Sequence, residues 1–165
     1  MRERNPETKI EVLIPDFCAN WEALQVVIDA RPDVLNHNTE TVPRLYLPVR
    51  PQGNFERSLT LLRIAKEQGM VTKSGIMLGL GESKEEVIEV LEAWREANVD
   101  LVTLGQYMQP TEKHLPVARW VTPEEFDEYR EIGMAMGFTN VFSGPLVRSS
   151  YHADEQAQDV VSASC

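Results

Sequence analysis

Cysteine is almost absent from this chain: among 165 residues there are two, Cys18 and Cys165. Two thiols, one of them the last residue, cannot build a disulfide framework or a CxxC-type site. Their scarcity fits a reducing compartment, and they are too few for a cubane cluster, which thiolates normally hold. Basic residues are scarce as well. Sixteen Lys and Arg face 26 Asp and Glu, a net charge of −10, which argues against nucleic acid and anionic membrane surfaces as partners. No apolar run is long enough to span a bilayer, and no cationic leader precedes an apolar stretch. Low-complexity segments are missing, and so are the GKS/T and GxGxxG endings of phosphate loops. What is present is the composition of a soluble globular protein, 42% apolar and 25% charged, with the acid on presumptive helix faces where solvation is its usual role. The length suffices for one domain with a real core.

Strand and helix signals alternate. Lys9 to Ile14 is short, β-branched and stopped by Pro15, which predicts a buried strand. Residues 21–30 carry Leu24, Val27 and Ile28 at helical spacing before Pro32. Asp33 to Asn36 reads as a short strand running into a polar loop. A second helix is expected from Phe55 to Gln68, with Asn54 as N-cap and Gly69 as its stop. Val71 to Leu78 is the next strand. Ser83-Lys84-Glu85-Glu86 is a capping-box pattern opening a third helix, followed by a strand at Asp100 to Leu104. Thr122-Pro123-Glu124-Glu125 starts a fourth helix, which ends near Gly137, and Phe138 to Phe142 is the last strand. Alternation at roughly 30-residue intervals implies a parallel sheet of right-handed βαβ units. Five strands are too few for a closed eight-stranded barrel, so the pattern fits an open doubly wound sheet or a slice of a barrel. In both, chemistry sits in the loops after the strands.

Those loops are rich in polar and small residues. After the second strand comes Asn36-His37-Asn38-Thr39-Glu40, whose amides and carboxylate suit the hydroxyls and amine of a polar ligand. His37 by itself reads as a hydrogen-bonded structural histidine. After the third strand, Gly75, Gly79 and Gly81 would let a ligand approach the backbone, with Glu82 beside a helix start that presents free N–H groups. After the fourth, Gly105, Gln106, Tyr107 and Met108 offer close approach, an amide and apolar faces; core packing is the default role for Tyr107 and Met108.

Near the C-terminus stands Gly144-Pro145-Leu146-Val147-Arg148-Ser149-Ser150-Tyr151-His152-Ala153-Asp154. This RSSYHAD segment closely resembles the C-terminal end of lipoyl synthases, members of the radical S-adenosylmethionine (SAM) family. Three more strings agree in the same order: NHNxETVPRLY from Asn36, KSGxMxGLGE from Lys73, and TLGQYxQPT from Thr103 with Lys113-His114-Leu115-Pro116-Val117 after it. The resemblance covers residues 7–156 and implies an α/β fold, the second half of a partial (β/α)6 TIM-type barrel of parallel strands with outer helices. It implies one domain over 1–156 and a flexible tail over 157–165. It also implies that Asn36, Asn38, Glu40, Gly75, Gly79, Gly81, Glu82, Gln106 and Met108 contribute to binding SAM or substrate. A serine of the RSSY motif would be a ligand to an auxiliary iron–sulfur cluster; the sequence leaves Ser150 and Ser149 both open, with Ser150 slightly preferred. An alkoxide is a harder ligand than a thiolate, and should leave iron more readily when the cluster is consumed.

The family's activity is radical insertion of sulfur at carbons six and eight of a protein-bound octanoyl chain. Its cofactors are SAM and two 4Fe–4S clusters. Its implied partners are octanoylated lipoyl carrier domains or the glycine cleavage H protein, and a reductant such as ferredoxin or flavodoxin; the implied location is the bacterial cytoplasm, with mitochondria left open. The family's CxxxCxxC motif and second cysteine trio do not occur here, and Met1 to Arg4 reads like the end of a helix cut open. The chain is therefore expected to be a C-terminal half that is inactive alone. Cys18 matches no metal ligand of the family and reads as incidental. Other readings stay open: a non-catalytic remnant that binds SAM or a carrier protein weakly, a metal-free barrel enzyme using Lys73 and Glu82 as an acid–base pair, or a Ser150–His152 hydrolase without a GxSxG elbow.

Overall fold

The computed structural model describes residues 3–150; the expected tail and the Tyr151 to Asp154 end of the RSSYHAD string lie outside them. Five parallel strands form one sheet: β1 (Glu11–Leu13), β2 (Val34–Asn36), β3 (Thr72–Leu78), β4 (Leu101–Gln106) and β5 (Asn140–Gly144). They lie side by side in chain order, β1-β2-β3-β4-β5. This order decides between the two architectures. A doubly wound sheet reverses direction part-way, which puts helices on both faces. Sequential right-handed crossovers instead put every helix on one face and curve the sheet into an arc of a barrel.

The helices are α1 (Trp21–Asp29), the short α2 (Tyr46–Val49), α3 (Phe55–Glu67), α4 (Lys84–Glu96) and α5 (Pro123–Ala135). Their starts follow from local chemistry. Asn20 accepts from the Ala23 N–H and Asn54 from the Arg57 N–H. Ser83 with Glu86 and Thr122 with Glu125 each form a full capping box. Several segments differ from expectation, one of them β1, which the sequence predicts to be buried and which has no buried residue. Residues 43–49 fold into a 3₁₀ turn, Pro43–Leu45, running into α2, where the sequence suggested only loop. Glu3 and Arg4 lie in a turn, not a helix; Pro6 disfavours helical backbone at Asn5, and the Thr8 N–H donates to the Asn5 carbonyl.

Because side chains alternate across a strand, the two faces of the sheet differ. On the helix side, Ile76, Leu78, Val102, Leu104 and Val141 join Val87, Leu91, Trp94, Phe126 and Tyr129 in the main core. Leu35 with Leu24, Ile28, Leu61 and Ala65 makes a second cluster under α1 and α3. On the inner side Glu11, Asn36, Lys73, Gly75, Thr103 and Gly105 give polar or small positions, in register with the apolar Leu13, Val34, Leu101 and Met77. That inner face carries the candidate site.

Candidate functional site

Three chain segments converge over the ends of β3 and β4. The first is the loop after β2. Glu40 adopts a left-handed backbone, φ 69°, which costs a non-glycine residue about 1–3 kcal/mol and concentrates at functional positions. It is held there by bridging to β3: its N–H donates to the Gly75 carbonyl (3.1 Å), and its carbonyl accepts from the Met77 N–H (2.9 Å). Burial pushes the Glu40 carboxyl above the usual range, opposed by the charge of Arg50 and a hydrogen bond from Asn38. Arg50 also donates to the Asn38 carbonyl. The Asn38 Oδ1 is buried without a hydrogen-bond partner among the described residues, and so is the Asn36 Oδ1. The Asn36 amide nitrogen donates to Glu11 (2.9 Å).

The second segment is the glycine loop after β3. Gly79 and Gly81 both have positive φ, a conformation that glycine alone adopts freely. The buried Glu82 accepts from the Gly79 and Leu80 N–H groups at 2.6 and 2.9 Å and so pins this loop. Gln106 stitches the loop after β4 in the same way. Its amide donates to the carbonyls of Tyr107 and Arg119 and accepts from the Val121 N–H. Tyr107 is buried and donates to the Leu115 carbonyl, as core packing predicts, whereas Met108 is 49% exposed. At Gly79 and Gly75, but not at Gly81, close approach is taken by the chain itself: a Cβ on Gly79 would meet the Gln106 side chain at 2.3 Å, and one on Gly75 would meet Thr103 Oγ1 at 2.2 Å.

The third segment is Gly144 to Ser150, which folds back over the inner face. A Cβ on Gly105 would lie 2.2 Å from the Val147 carbonyl oxygen. Lys73, fully buried, donates to both oxygens of Glu11 (3.0 and 3.1 Å) and to the Ser149 carbonyl. Burial pulls its pKa down, against the pull of Glu11.

These segments enclose two cavities. One, of about 150 Å³, is lined by Asn38, Glu40, Gly75, Met77, Thr103 and Ser149 among others. The other, of about 480 Å³, is lined largely by apolar groups that include Val49, Met77, Leu80, Tyr107, Met108 and Pro116. Met77 borders both. Of the residues singled out in the sequence, the first cavity gathers Asn38, Glu40, Gly75 and Ser149, and Met108 borders the second. Gly79, Gly81, Glu82 and Gln106 shape the loops around them, and Ser150 is exposed. Thr103 and Arg148 stand in the TLGQYxQPT and RSSYHAD strings, and Arg50 carried no sequence signal. His37 is structural, as its type suggested: buried, with Nδ1 on the Ile14 carbonyl and Nε2 on the Ser58 hydroxyl. Lys73 and Glu82 have separate partners and do not form an acid–base pair.

The model of the radical SAM superfamily matches residues 1–94. The chain belongs to the radical SAM superfamily. Within it, the similarity is to lipoyl synthases. That of Rubrobacter xylanophilus is 56% identical over 161 residues, covering 96% of this chain and 50% of the relative. That of Caldanaerobacter subterraneus subsp. tengcongensis is 57% identical over 151 residues, covering 90% and 53%. The mitochondrial lipoyl synthase of Nematostella vectensis is 55% identical over 156 residues, covering 94% and 54%. The chain thus spans about half the length of the curated relatives it matches. The crystal structure of Streptococcus suis SuiB shares the fold, with a TM-score of 0.63 and 14% identity over 86% of this chain and 33% of that one.

Radical SAM membership makes SAM the first ligand to test against the site. SAM joins a charged amine and ribose hydroxyls to a flat adenine. An orphaned amide oxygen and a buried carboxyl in one cavity, opening beside a mostly apolar one, match that division, so the residues present fit it. Iron–sulfur clusters do not fit this chain's residues alone. It has two cysteines, and among the described residues no three His, Cys, Asp or Glu gather to hold a metal. No helix among them is long and apolar enough to cross a membrane.

Proposed function

We propose that this radical SAM chain supplies the SAM-facing strand ends of a lipoyl synthase, whose whole form inserts sulfur at carbons six and eight of a protein-bound octanoyl chain. The observation that carries this reading is the pair of cavities meeting at Met77, one with Asn38 and Glu40, the other mostly apolar. SAM and the two 4Fe–4S clusters of the whole enzyme would supply the radical chemistry and the sulfur. The work of this chain is binding and placement. Glu40 and the free Asn38 Oδ1 would accept hydrogen bonds from the amine or hydroxyls of SAM, while Leu80, Tyr107 and Met108 would supply apolar surface for its ring and exclude water. Gly79, Gly81, Glu82 and Gln106 hold the loops that form the walls. Ser150 or Ser149 would offer an oxygen ligand to an iron–sulfur cluster, which the two cysteines of this chain are too few to hold. The octanoyl chain arrives on a lipoyl carrier domain or the H protein, and electrons come from a ferredoxin or flavodoxin, in the cytoplasm of a bacterium.

With two cysteines, the chain by itself binds SAM without turning it over. Calorimetric titration of the 165-residue chain with SAM tests this. Binding is expected, weakened by about tenfold to a hundredfold in Glu40→Gln, the scale of a lost hydrogen bond to a charged group. No binding, or equal binding by the variant, would overturn the assignment.

A further inference from the structure

Among the described residues, the buried Lys73 stands on the inner face with no part in this function. We propose that Lys73 is a positioning residue, a clasp that fastens the Arg148–Ser150 segment over the strand-end cavity. An ammonium has three hydrogens to donate, and here all three have acceptors: the two Glu11 oxygens and the Ser149 carbonyl. The Lys73 side chain is 0% exposed, so its charge depends on those acceptors and not on water. Glu11 is fixed in turn by the Asn36 amide, so β1, β2 and β3 all contribute to the hold.

A second, independent feature belongs to the same device. On the neighbouring strand Gly105 leaves room for the Val147 carbonyl, where any Cβ would sit 2.2 Å away. Two inner-face positions on adjacent strands therefore receive alternate carbonyls of one segment, Val147 at Gly105 and Ser149 at Lys73. The turn before it is closed by the Val147 N–H donating to the Gly144 carbonyl and tied to the end of β4 by the Gln106 N–H donating to the Pro145 carbonyl (3.4 Å). Without the clasp, nothing on the inner face donates to the Ser149 backbone among the described hydrogen bonds. What the held serines then do rests on the lipoyl synthase reading; the hold itself does not.

Limited trypsin digestion of the full chain, followed by mass spectrometry, reads the clasp directly, because Arg148 is exposed and the bond cut after it lies next to the Ser149 carbonyl that Lys73 holds. In Lys73→Met, cleavage after Arg148 should speed up by about tenfold to a hundredfold. Cleavage after Lys113, in an exposed loop, serves as the reference and should not change. Glu11→Gln should accelerate the same bond, and the double variant should be no faster than Lys73→Met alone, since both act through one contact. An unchanged Arg148 bond overturns the proposal. So does equal acceleration at Lys113, which would mean general loosening, and so do additive effects of the two variants. If Lys73→Met does not fold, Glu11→Gln decides alone: acceleration confined to Arg148 supports the clasp, and any other pattern overturns it. SAM titration separates the two readings. Failure to bind SAM with a protected Arg148 bond removes the function and leaves the clasp, and SAM binding with no protection does the reverse.

Discussion

His37 shows how one buried side chain sets a pH limit. A carbonyl can only accept, so Nδ1 carries the proton toward Ile14, and Nε2 accepts from the Ser58 hydroxyl. Burial holds its pKa below the ordinary 6.5. Below that pH the unfolded chain gains a proton on this ring and the folded chain does not, so the stability is present at neutral pH and is lost as pH falls. Glu40, with its raised pKa, contributes the opposite sign above 4.5, so the difference between two proteins is the clean measurement. His37→Gln should lower the melting temperature at pH 7, because buried partners lose hydrogen bonds at about 1–3 kcal/mol. Between pH 7 and 5 the variant should lose less further stability than the parent; parallel melting curves would sink this account. The role of His37 was legible from residue type alone. Lys73 was not, because lysines are almost never fully buried, and its partners Glu11 and Ser149 lie 62 and 76 positions away.

At the scale of elements, the sequence was legible where the determinants are local. Asn54, the Ser83–Glu86 box and Thr122–Pro123 mark helix starts through contacts within one turn, and the structure places those helices where the caps put them. Strand existence was legible from short β-branched runs. Strand order was not, since pairing is decided by packing between distant segments, and order alone separates an arc of a barrel from a doubly wound sheet. The strand-end glycines were visible, but not what would occupy the space beside them. Gly75 pairs with Thr103 across β3 and β4, and a Cβ there would meet Thr103 Oγ1 at 2.2 Å and the Thr103 carbonyl at 3.0 Å. Gly75→Ala should therefore cost about 1–3 kcal/mol, as overpacking does. Adding Thr103→Ala removes the nearer atom and should recover part of the loss in chemical denaturation. A double variant no more stable than Gly75→Ala would place the strain elsewhere.

For the whole molecule, a sequential arc has two ends. Among the described residues β1 pairs only with β2, and β5 only with β4. Each outer edge presents backbone donors and acceptors to whatever lies beside it, and an unblunted edge is a template for another strand. β1 carries Leu13 at 59% exposure, so its edge is apolar as well as unpaired. The two ends are different surfaces, so contact of β5 in one copy with β1 in the next is heterologous and need not close. The chain should therefore self-associate with rising concentration in sedimentation velocity. Leu13→Lys sets a strongly hydrated charge at that edge, where natural sheets use lysine to prevent pairing, and should shift the distribution toward monomer with the melting temperature nearly unchanged. The net charge of −10 opposes association at low ionic strength, so added salt should strengthen it in the parent. A parent that sediments as a single monomeric species at every concentration and salt would show that neither edge is open to a second copy.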